Sequence, residues 1–67
     1  MITRADLRVG DYLIDGRPRK AVICEVRLVR NGRDFDDLMR LAEEIIGSSD
    51  LVVDAEREEG RLWIYPK

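Results

Sequence analysis

Few residues in this 67-residue chain have types that do chemistry. Histidine is absent and cysteine occurs once, at Cys24. Without histidine, the side chain most used as a general base and metal ligand near neutral pH is missing. Cys24 alternates with Val22 and Val26 in a strand-like run, which makes it a small core hydrophobe and an inert thiol. Ser48 and Ser49 have no base near them in sequence and read as loop and capping groups. Asp34, Asp36 and Asp37 form the best metal candidate, because clustered carboxylates suit Mg²⁺ or Ca²⁺. The cluster lacks the mid-loop glycine and closing glutamate of a calcium loop, and helix capping accounts for it. The five glycines are scattered over turns, so no phosphate-cradling loop is present. The expectation is no catalytic, metal-binding or cofactor-binding residue, no cofactor and no enzymatic activity.

Two groups of residues have the composition of binding surfaces. Trp63 and Tyr65 alternate with Leu62 and Ile64 and follow Arg61. With Ile23 and Arg27 predicted on the same sheet face, they give the Trp/Tyr/Arg composition of protein-binding hot spots. The expected protein-binding residues are therefore Trp63, Tyr65, Arg27, Ile23 and Arg61. The second group is basic. Arg17, Arg19 and Lys20 surround a hairpin loop, and Arg30 and Arg33 follow further along. A basic hairpin can track phosphates, and aromatics on an open sheet can stack on bases. This supports the alternative reading, a nucleic-acid-binding domain.

Charge distribution bears on both readings. Residues 1–33 carry eight Arg/Lys against four Asp/Glu, a balance of +4, and residues 34–67 carry four against ten, a balance of −6. The net charge of −2 selects no partner, but the asymmetry predicts a basic end and an acidic end that would steer encounter.

The elements that must position these residues follow from periodicity and turn chemistry. Tyr12-Leu13-Ile14 is a short apolar run closed by Asp15-Gly16, a strong turn dipeptide. Residues 20–30 read as the longest strand, and the two runs form a hairpin with a basic loop. Asp34 suits a helix N-cap. Phe35, Leu38, Met39, Ala42, Ile45 and Ile46 form one apolar stripe at helical spacing, and Gly47 closes the helix. Leu51–Ala55 and Leu62–Tyr65 are strands joined by a loop at Glu58-Glu59-Gly60.

A right-handed crossover through the helix puts the third strand parallel to the second, with the fourth filling the gap. The predicted fold is α+β, ββαββ, with a four-stranded mainly antiparallel sheet of order 1-2-4-3 and one amphipathic helix on one face. The alternative is a small SH3-like barrel with an inserted helix, suggested by Val9-Gly10-Asp11-Tyr12 entering a strand. One helix can cover only one face. Ile23, Val29, Val52, Trp63 and Tyr65 are left on the other, with residues 1–10 as the only segment able to roof it.

The chain reads as a single domain, 1–67. A domain this small buries only about 60% of its unfolded surface, which favours binding to something else, including a second copy. A lone cysteine, no signal-like apolar start and no apolar run of membrane length point to the cytoplasm and to no membrane partner. Ten arginines against two lysines suggest a GC-rich bacterial or phage genome. The expected function is a small protein-binding module: an inhibitor, adaptor or regulatory subunit acting by occupying a partner surface. In size and simplicity it is similar to small phage inhibitors, including anti-CRISPR proteins, and no residue motif carries that likeness. The expected partner is another protein, with a homodimer as a further possibility and nucleic acid as the alternative partner.

Overall fold

A computed structural model describes the chain from Met1 to Lys67. Strands β1 (Arg8–Ile14) and β2 (Arg17–Glu25) form a hairpin, helix α1 (Gly32–Ile46) follows, and β3 (Leu51–Glu56) and β4 (Arg61–Pro66) form a second hairpin. The sheet order is β1-β2-β4-β3, and every neighbouring pair is antiparallel. The ββαββ prediction and its split strand order hold. The SH3-like alternative does not: β1 and β3 are free edges of an open sheet.

The first hairpin is closed by a two-residue loop. Asp15 and Gly16 both take positive φ, 53° and 79°, which is the type I′ geometry whose twist matches the flanking strands. Helix α1 packs over the two central strands, β2 and β4. Its stripe of Leu38, Ala42 and Ile45 meets Val22, Cys24 and Ile64 in one buried cluster. Leu38, Ala42, Val22 and Ile64 are fully excluded from solvent. Phe35, at the start of the stripe, stays 38% exposed. Gly47 ends the helix, its N–H donating to the Glu43 carbonyl at 2.8 Å. No helix is long and apolar enough to cross a membrane.

Three local expectations are corrected. The long strand predicted over residues 20–30 runs instead over Arg17–Glu25, and Val26–Leu28 is a 3₁₀ turn. Val26 N–H still donates to the Gly60 carbonyl at 2.8 Å, but the chain then bends toward α1. Leu28 and Val29 pack on the helix-side core, so Val29 does not belong to the opposite face. Alternation at Val26 and Leu28 imitates a strand because a short turn can also place apolar residues two apart.

Asp34 is not the N-cap. Asn31 is, its Oδ1 accepting from Asp34 N–H at 2.9 Å. Asp34 is instead buried in the first helical turn, accepting from Arg30 N–H at 3.0 Å and pairing with the Met1 ammonium at 3.0 Å. Residues 1–7 consequently fold to the helix side, where Ile2 joins the core.

Candidate functional site

Strand register decides which side chains share the face away from the helix. Val22 and Ile64 are paired and lie in the core, so their neighbours Ile23 and Trp63, also paired, point the opposite way. The same alternation puts Gly10 and Tyr12 of β1, Arg19 and Ala21 of β2, Arg61 and Tyr65 of β4, and Val52, Asp54 and Glu56 of β3 on this outer face. Helix α1, Ile2 and Leu7 pack on the other face, and Asp6 reaches the rim of this one beside Ile23 and Arg61.

The outer face builds a small packed layer of its own. Tyr12 and Trp63 meet edge to face, ring centroids 5.1 Å apart at 81°. The register carries them from β1 and β4 toward each other above β2, and Ala21 and Ile23 between them are only 0% and 4% exposed. Two small residues make this possible. Ala21 leaves height for the rings. Gly10 lets the Tyr12 ring fold back on its own strand, since a Cβ there would sit 3.2 Å from Tyr12 Cε2. An aromatic pair of this geometry contributes about 0.5–1.5 kcal/mol beyond its buried area.

Arg61 fixes the other side of the indole. Its guanidinium lies 5.6 Å from the Trp63 ring centroid. Its Nε donates to Glu56 Oε1 at 2.9 Å, its Nη2 lies 2.8 Å from the same oxygen, and Glu59 is 3.7 Å away. The bond to Glu56 is the main cause that raises the Arg61 pKa further, so it is a permanent cation. Trp63 Nε1–H reaches Glu56 Oε1 at 3.4 Å.

Two clefts flank this layer. One, of about 430 Å³, is lined by Ile14, Asp15, Asp54, Glu56, Trp63 and Tyr65 together with Leu13 and Ala55. The β1–β2 turn and β3 belong to opposite edges, so their meeting in one cleft shows the twisted sheet curling into a trough. Its rim carries three carboxylates. The other cleft, of about 320 Å³, is almost entirely charged, with Asp6, Arg8, Glu25, Glu59 and Arg61 around Ile23.

The structure brings together Ile23, Arg61, Trp63 and Tyr65 as predicted. Arg27 is displaced. It lies past the end of β2, and its guanidinium folds back on Glu25 at 3.0 Å. Tyr12, Asp54 and Glu56 were missed. Tyr12 sits in an unbroken apolar run, where face assignment needs a register that only the turn type supplies.

The basic residues do not converge. Arg17 and Arg19 point to the outer face and Lys20 to the helix side. Arg19 is spent on the Lys67 carbonyl, to which it donates at 2.9 Å. Arg30 and Arg33 flank the start of α1, beyond the opposite end of β2 from Arg17, a strand that spans roughly 25–30 Å.

The remaining chemical candidates separate as well. Asp34 is turned inward, Asp37 faces Arg40 at 3.6 Å, and Asp36 is exposed, so the three carboxylates share no centre. Cys24 is buried, and burial, followed by Asp6 and Glu25, pushes its pKa up, away from a reactive thiolate. Comparison with protein-family models, with curated proteins and with solved structures returned no match.

Proposed function

We propose that this chain is a non-enzymatic protein-binding module, an inhibitor, adaptor or regulatory subunit that docks a partner on the outer face of its sheet. One observation carries the reading: Trp63 and Tyr65 stand on the face opposite the helix, where the N-terminal segment reaches the rim through Asp6, while the central strands of the other face are buried beneath the helix. Aromatic side chains held rigid by neighbours lose little entropy on binding and act as anchors. Here Tyr12 and Arg61 hold the indole in place before any partner arrives. The carboxylates of Asp15, Asp54 and Glu56 around the trough favour a partner segment that combines apolar side chains with lysine or arginine.

The test is affinity capture from the native host with the wild-type chain and with a Trp63→Ala, Tyr65→Ala double variant whose fold is checked by circular dichroism. A protein retained by the first and lost by the folded second supports the reading. Equal recovery by both refutes it. Binding of an oligonucleotide that weakens steeply with salt would point to the nucleic-acid alternative.

A further inference from the structure

The two free edges of the sheet are not alike. β3 carries two like charges, Asp54 and Glu56, which discourage pairing with a copy of itself, whereas the two charges of β1, Arg8 and Asp11, are of opposite sign. β1 is longer, holds no proline, and pairs with β2 without interruption from Arg8 to Ile14. Its helix-side residues Val9 and Leu13 are 44% and 76% exposed, because α1 lies over β2 and β4.

Hairpin geometry says which backbone groups β1 leaves free. A two-residue turn closes with a hydrogen-bonded pair, here Ile14 and Arg17, and bonded pairs then alternate along the ladder. Tyr12 and Gly10 therefore bond inward to β2, and Leu13, Asp11 and Val9 turn their N–H and C=O groups outward. Pro18, which has no N–H to give, sits opposite Leu13 at a non-bonded position, as this alternation requires.

We propose that the free edge of β1 is a self-association seam, on which a second copy of this chain adds its own β1 antiparallel about a two-fold axis at Asp11. Two-fold pairing keeps each side chain on its own face, so the register must be even. Centring it on Asp11 sets Val9 opposite Leu13 of the second copy, twice, covering the two most exposed apolar residues of the strand. On the outer face it sets Gly10 opposite Tyr12, small against large. Three outward-facing residues per strand exchange about six backbone hydrogen bonds. At the axis the two Asp11 side chains oppose each other, and the repulsion is offset by Lys20, the cross-strand neighbour of Asp11 within each chain; Arg8 of each copy comes alongside the Asp15 turn of the other. The assembly closes as a dimer and leaves each outer trough open.

The test combines sedimentation of the full chain at rising concentration with residue-resolved amide exchange. The expected result is a concentration-dependent dimer in which the amides of Val9, Asp11 and Leu13 gain protection, while those of Gly10 and Tyr12 are protected already. Leu13→Lys, at an exposed position that the monomer fold does not use, should weaken the dimer at least about tenfold. Asp11→Pro deletes an N–H that bonds nothing within one chain and should do the same. Tyr65→Ala should leave the dimer intact. A monomer at every concentration, a dimer indifferent to Leu13→Lys, or one lost with Tyr65→Ala instead would overturn the proposal.

Discussion

The two faces of the sheet solve the same problem by different means. The inner face is sheltered by a helix, and its central residues, Val22, Cys24 and Ile64, lie beneath Leu38, Ala42 and Ile45. The outer face is sheltered only by its own side chains, with Tyr12 and Trp63 closing over Ala21 and Ile23. The first arrangement seals a core under the helix and leaves apolar side chains exposed at its margins, at Val9 and Leu13 of β1, Val53 of β3 and Phe35 of the helix. The second buries aliphatic side chains by exposing the flanks of aromatic ones. A surface that is rigid, half-buried and apolar is a price of covering a sheet with residues of the sheet itself, and it is also what a partner can grip.

That contrast can be broken at its strong side first. Leu38→Ala removes a fully buried side chain and should cost about 2–5 kcal/mol. Against a total of about 5–15 kcal/mol for ordinary domains, this is a large part of the stability, and denaturant unfolding will show it as a much lower midpoint. Trp63→Ala deletes a larger side chain from the outer layer but should cost roughly half that range, since the ring is only half-buried. A Trp63→Ala loss equal to or above that of Leu38→Ala would mean the outer layer is a second core and not a binding surface.

A pH series sharpens the comparison, because the inner side also contains one buried carboxylate. The Met1 ammonium, then the Arg30 N–H, hold the Asp34 pKa below the ordinary carboxylate range. A folded-state pKa that is depressed gives stability above the unfolded pKa, and this stability is lost as pH falls through the folded value. Asp34→Asn should therefore be less stable than wild type at neutral pH, and the gap should close in acid. A gap that stays constant with pH would show that the charge of Asp34 contributes nothing and only its hydrogen bonds matter.

The smallest effect is expected at Gly10. Its backbone is ordinary strand, so alanine is tolerated conformationally, but the new methyl would press on Tyr12 at 3.2 Å. Gly10→Ala should change stability by less than about 1 kcal/mol. It should nevertheless alter the near-ultraviolet dichroism and emission of Trp63 by shifting the ring that contacts it. Unchanged spectra would show that Tyr12 does not position the indole.

Much of this arrangement was legible in the chain. The stripe from Leu38 to Ile46 and the glycine after it announce the helix. Handedness of the crossover then leaves one place for the fourth strand. The alternation from Arg61 to Tyr65 marks a strand apolar on both sides, and from that Trp63 and Tyr65 could be assigned to the uncovered face.

Periodicity determined these features because it is a property of neighbouring residues. Tertiary structure alone decided three others. It ended β2 at Glu25, sending Val29 inward and Arg27 off the sheet, because the chain had to turn there to place α1 over β2 and β4. It turned Asp34 from a helix cap into the anchor of Met1, thirty-three positions away. And it set Tyr12 against Trp63, a contact between the first strand and the last. Each depends on groups far apart in sequence that meet only after the sheet has formed, so no local pattern could encode them.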